Sequence, residues 1–317
     1  MQIIMKEKVT EVAELVSERF DDGLDVSTLR CVTEFDGVER VADGTVAFSV
    51  DSKSRGKGIV FLVSNDAFPE VVGEDVAQAR EIATRVSPQV SRHILTPLHE
   101  GRIGEVTYAA YHRLSPISNF GLVRILQKRR VTKMLFPWII GLARETRVAR
   151  YRSAEIERYF EHPLLSLRDD EEVSIAVRDR ADRFLGLIRA GSPNLFTALQ
   201  HGDLWIGNIL FERKPFQNLN PALGNFAVID WRSARADGYP CIDLVRFCSS
   251  VYKTGARSND KCVLAYREAL ELDPIDFQIH CLSSLGRLAN ELNQMPKKLF
   301  VALCDRTLNF VDAHSRN

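Results

Sequence analysis

The chain has 317 residues, room for two lobes around one cleft. Apolar residues make up 45% and charged residues 26%, the balance of an ordinary globular protein. Lys plus Arg equals Asp plus Glu at 42 each, which argues against a protein devoted to nucleic acid or to an anionic membrane.

Six cysteines, Cys31, Cys241, Cys248, Cys262, Cys281 and Cys304, form no C-x-x-C and have no zinc-like spacing with a His. Free thiols in a reducing compartment are expected. The N-terminal stretch MQIIMKEKVTEV turns charged after five residues, so no secretion signal is expected. The longest apolar run, Met134–Ala143, has ten residues with a Pro and a Gly, too few to span a bilayer. A cytoplasmic location follows as the expectation.

In chain order, residues 5–20 predict a helix: Val9, Val12, Leu15, Val16 and Phe20 recur at three- and four-residue spacing before Asp21-Asp22-Gly23. Strands are predicted over 29–35, 45–51 and 59–64, linked by 36–44 and 52–58, which carry Gly and charge. Residues 69–86 predict a helix with Pro69 in its first turn and Val72, Val76, Ala79, Ile82 and Ala83 on one face. Two further strands are predicted over 93–99 and 103–112. The stretch 122–152 is helical in propensity and basic. It sets Arg124, Lys128, Arg129, Arg130, Lys133, Arg144, Arg147, Arg150 and Arg152 against one acid, Glu145. It reads either as a site for an anionic acceptor or as a solvated face balanced by acids in 155–172. Helices are predicted over 171–189, 243–253, 260–272, 275–292 and 297–313.

The chemistry concentrates in 201–231, HGDLWIGNILFERKPFQNLNPALGNFAVIDW. FAVID (226–230) is a short apolar run that ends in a carboxylate, and NILFE (208–212) is a second apolar run. Pro215, Asn218, Asn220, Pro221, Gly224 and Asn225 between them are turn chemistry, so the two predict a hairpin with a long tip. Asn208 and Asp230 then share one end, beside the loop that carries Asp203. A carboxylate and an amide suit Mg²⁺, which takes a few oxygen ligands plus substrate phosphates. A second carboxylate kept off the metal suits an attacking hydroxyl. The bland alternative is that Asp203 and Asn208 cap a turn and Asp230 caps the next helix.

HGDLWIGN, the following IDW, and Gly238-Tyr239-Pro240-Cys241-Ile242-Asp243-Leu244 together resemble the aminoglycoside phosphotransferase and choline kinase family. The resemblance implies an α+β, two-lobed, protein-kinase-like fold. A small antiparallel sheet with one helix would occupy residues 1–110, and a larger, mainly helical lobe would occupy 111–317. It implies ATP and Mg²⁺ as cofactors and a small-molecule hydroxyl as acceptor. By resemblance Asp203 is the catalytic base and Asn208 and Asp230 are metal ligands. His201 and Asp243 are structural supports of the catalytic loop. Nucleotide contacts fall on Gly37 in the first glycine-bearing link, on a helix acid (Glu74 or Glu81), and on Tyr111 and His112 in the hinge at 109–114.

The sequence departs from the family at its third strand, where a phosphate-binding Lys is expected. Ile59-Val60-Phe61-Leu62-Val63-Ser64 has none, and the expected site falls at Val63. Lys53 and Lys57 lie in the preceding turn. The missing Lys motivates a second reading, a kinase-like nucleotide-binding module with little or no transfer activity. A protein kinase is a third, disfavoured by Trp231-Arg232 after Asp230 in place of Phe-Gly.

Overall fold

A computed structural model describes residues 2–18, 23–32, 45–53, 58–119, 121–150, 152–191, 193–212, 225–252, 257–290 and 296–314. Helix α1 (Gln2–Ser17) buries Val9, Val12, Ala13 and Val16, the stripe its spacing demands. The strands β1 (Leu24–Cys31), β2 (Thr45–Ser52) and β3 (Ile59–Ser64) follow. They join β4 (His99–Ile103) and β5 (Val106–His112) in one sheet, ordered β1-β2-β3-β5-β4, with every neighbour antiparallel.

Alternation along β3 divides the lobe. Ile59, Phe61 and Val63 point into the core shared with α1, while Leu62 packs on the other face with Val71, Val72 and Val76 of α2 (Val71–Thr84). The first turn of α2 has no side-chain cap of its own. Ser64 Oγ accepts the Val72 N–H at 3.0 Å and Thr107 Oγ1 accepts the Gly73 N–H at 3.0 Å, so the sheet satisfies donors the helix leaves open.

The strand expected over 93–99 does not form. Pro88 opens a short helix, α3 (Pro88–Ser91), and backbone contact with β5 begins only where the Leu98 N–H donates to the Ala110 carbonyl, just before β4. Residues 93–95 instead bridge to the second strand of the 208–230 hairpin, through Ile94 beside Val228.

In the larger, helical part, α4 (Gly121–Glu145) buries Leu135, Trp138, Ile139 and Leu142, and it stops short of the expected end at 152. β6 (Val148–Ala149) pairs with β7 (Phe196–Gln200), which pairs with β10 (Arg235–Gly238). β8 (Ile209–Phe211) and β9 (Phe226–Val228) form the expected hairpin. Helices α5 (Ser153–Ile156) and α6 (His162–Arg168) flank a single π turn, and α7 (Ile175–Arg189) precedes β7. After β10 come α8 (Pro240–Val251), α9 (Arg257–Leu270), α10 (Pro274–Ala289) and α11 (Lys297–His314). Cys241, Cys248, Cys281 and Cys304 are buried free thiols. Among the described residues, no helix is long and apolar enough to cross a membrane.

Candidate active site

The loop 201–207 leaves β7 and is pinned from beneath. His201 is fully buried, and its Nε2 sits 3.0 Å from the Ile229 carbonyl. Asp243, in the first turn of α8, accepts the His201 N–H at 2.6 Å and the Gly202 N–H at 2.9 Å. Burial lowers the imidazole to about 4, so His201 is neutral at pH 7. Burial raises the Asp243 carboxyl to about 7, against the pull of those two backbone N–H groups. Gly202 has φ +85°, and a Cβ there would lie 2.5 Å from the Ser233 carbonyl oxygen. Only glycine fits this turn without displacing backbone.

The loop's polar groups meet directly. Asn208 Nδ2 donates to the Asp203 carbonyl at 2.9 Å and lies 3.3 Å from its Oδ2. Its amide nitrogen is thereby committed to Asp203, so the amide oxygen is what a cation would meet. Arg246 of α8 stands 3.2 Å from Asp203 Oδ1 and also donates to the Gly202 carbonyl. Asn208 precedes β8 and Asp230 follows β9. Ile209 faces Val228, and the Ile229 N–H donates to the Asn208 carbonyl at 3.0 Å. The hairpin therefore brings 208 and 230 to one end. Asp230 has φ +65°, a conformation disfavoured for a residue with a side chain. Trp231 anchors the next position: its ring is buried 4.6 Å from His201, and its backbone N–H donates to Asp75 Oδ1 at 2.6 Å.

Asp230 opens onto a cavity of about 220 Å³ between the sheet and the helical part. Val60, Leu62, Val72, Tyr111, His112, Leu114, Leu210 and Ile229 are among the residues that line it. Burial pushes the Tyr111 hydroxyl up, which keeps it neutral. Among the described residues, no three His, Cys, Asp or Glu side chains lie together in a metal-binding group. A cation at Asn208 and Asp230 would complete its shell with water and phosphate oxygens, as Mg²⁺ does.

Several expectations need correction. Glu74 is exposed, and Glu81 is exposed and paired with Arg85 at 2.5 Å. The α2 acid that lines the cavity is Asp75, one residue on from Glu74 and on the helix's inward face. Val63 points away from the cavity, so the cavity-facing β3 positions are Val60 and Leu62. Lys53 is exposed, whereas Gly37 and Lys57 lie outside the described residues. The basic stretch also divides. Lys128 donates to the Val251 carbonyl at the end of α8, Arg147 lies over Phe196, and Arg150 binds Thr197 and Glu155. Those three have structural partners, and the other six are exposed.

A model of the phosphotransferase enzyme family, APH, matches residues 78–277. The chain belongs to this family. The matched stretch runs from within α2 to α10 and includes the 201–208 loop and the 208–230 hairpin. Among solved structures similar to this family member, the aminoglycoside phosphotransferase APH(4)-Ia aligns with a TM-score of 0.55 at 16% identity, covering 96% of this chain and 99% of that one. A thermostable mutant of APH(4)-Ia, in ternary complex with ADP and hygromycin B, aligns with a TM-score of 0.54 at 15% identity, again covering 96% and 99%. The phosphotransferase fold, α+β and two-lobed, is thus shared across the chain. No curated protein matches it in sequence.

Proposed function

We propose that this phosphotransferase moves the γ-phosphoryl group of ATP to a hydroxyl of a small molecule with the help of Mg²⁺. Residues 1–110 would act as the nucleotide lobe and 111–317 as the catalytic and acceptor lobe. The observation that carries the reading is the hydrogen-bonded Asp203–Asn208 pair at the end of the hairpin where Asp230 lines an apolar interlobe cavity. Asp203 would orient the acceptor hydroxyl and take its proton. Asn208 and Asp230 would hold the metal, which supplies charge neutralisation at the phosphates. Val60, Leu62, Leu210 and Ile229 make an apolar slot suited to a flat base, and Tyr111, His112 and Leu114 line the same cavity. Arg246 already balances the Asp203 charge. That favours a neutral or anionic acceptor over a polycation.

The reading with little or no transfer is favoured by one observation: the cavity-facing β3 residues, Val60 and Leu62, are both apolar. A single pair of assays separates the two. Asp203→Asn is expected to lower ATP turnover against an acceptor panel by at least about a thousandfold while leaving Mg-ATP affinity within about twofold. Wild-type binding of Mg-ATP without turnover would favour the module. An Asp203→Asn protein that turns over like wild type would overturn the role given to Asp203.

A further inference from the structure

A nucleoside triphosphate carries a polyanionic tail, and a site that holds it needs a cation besides any metal. Strand β3 offers none, because Val60 and Leu62 face the cavity and Val63 faces the sheet core. The described lining residues include two carboxylates, Asp75 and Asp230, and one arginine, Arg232, with no lysine. Arg232 is half-buried and sits on a segment fixed from both sides. Beneath it the Trp231 ring is locked into the helical core beside Trp138 and His201. Above it Asp75 accepts backbone N–H groups from both Trp231 and Arg232, and Gln78 Nε2 donates to the Ala234 carbonyl at 3.3 Å. Helix α2 therefore grips the chain that follows Asp230. The arginine of that gripped segment stands at the polar end of an otherwise apolar cavity, next to the carboxylate expected to carry the metal.

We propose that Arg232 is the phosphate-binding cation of this site, supplied from the segment that follows Asp230 in place of the apolar third strand. The assignment rests on the nucleotide reading above. A guanidinium presents several N–H donors in one plane and can hold two phosphate oxygens at once.

The test is calorimetric titration of wild type, Arg232→Met and Arg232→Lys with Mg-ATP, Mg-ADP and adenosine. Arg232→Met is expected to weaken ATP and ADP binding about tenfold or more while adenosine stays within about twofold. Arg232→Lys keeps the charge and is expected to retain most of the affinity for both nucleotides. Unchanged ATP binding in Arg232→Met would overturn the assignment. So would a parallel loss of adenosine, which marks a structural role, or an equal loss in Arg232→Lys. If wild type binds adenosine and ATP and only the variant result fails, the nucleotide reading stands without Arg232. If wild type binds neither ATP nor adenosine, that reading falls and this assignment falls with it.

Discussion

Gly202 illustrates how much of the site depends on a single backbone torsion. Its φ of +85° lets two consecutive N–H groups converge on Asp243, and it leaves the Ser233 carbonyl no room for a Cβ. Gly191 has a similar φ of +77°, yet nothing lies within 4 Å of a Cβ there. The pair separates torsional strain from collision. Gly191→Ala is expected to lose about 1 kcal/mol, the torsional part alone. Gly202→Ala is expected to lose about 2–3 kcal/mol, because backbone must also move. Urea denaturation of both variants checks this, and equal losses would show that the contact with Ser233 is not limiting. The acid on α2 was missed at this scale, although its signal was local. Asp75 interrupts the apolar stripe Val72, Val76, Ala79 at helical spacing, whereas Glu74 and Glu81 lie off it. An acid on the buried face of a helix needs a partner. The partner is backbone N–H from residue 231, which no local pattern could have named.

At the scale of elements, the long periodic helices and the 208–230 hairpin were readable because their apolar spacing and turn residues are local. The elements that were not readable are stabilised by distant partners. β6 has two residues and exists because Val148 and Ala149 pair with Thr197 and Phe196. The expected strand over 93–99 failed because Pro88 favours a helical turn and His93 is drawn onto Phe226, with rings stacked 3.9 Å apart. Which face of β3 met the cleft was equally hidden. Alternation separates Val60 and Leu62 from Ile59, Phe61 and Val63, but both sets are apolar. Close helix packing gives a prediction here. Gly286 in α10 lies so near α6 that a Cβ would fall 1.8 Å from the Pro163 carbonyl oxygen. Alanine in mid-helix would by itself gain about 1 kcal/mol over glycine. Collision with backbone outweighs this, since overpacking of a rigid contact costs roughly 1–3 kcal/mol or more. Gly286→Ala is therefore expected to lower stability by about 1–2 kcal/mol net. A urea midpoint at or above wild type would show that the two helices separate freely.

Over the whole molecule, the fold class was legible. The two-lobed architecture followed from the family resemblance, with a strand-rich first third before a mainly helical remainder. The clamp between lobes was not legible, because it joins Asp75 to Trp231 across 156 residues of chain. Buried titrating groups tie the stability of this assembly to pH. His201 and His280 are both lowered to about 4 by burial, while Asp243 is raised to about 7 and works in the opposite sense. His280 isolates one term. It lies on α10, away from the loop, beside Phe160 and Phe196, with Nε2 3.1 Å from the Asn194 carbonyl. In the unfolded chain it takes a proton below its ordinary 6.5, and in the folded chain it stays neutral down to about 4. The unfolded state thus binds more protons in that window, so His280's contribution is intact above 6.5 and is lost as pH falls toward 4. His280→Gln keeps a side-chain N–H for Asn194 and removes the titration. Its stability deficit relative to wild type at pH 7.5 is expected to shrink by about 2 kcal/mol at pH 5, with His201 and Asp243 cancelling between the two proteins. Urea midpoints of both proteins at the two pH values measure the difference, and a deficit that does not change with pH would mean that His280 is protonated in the folded core.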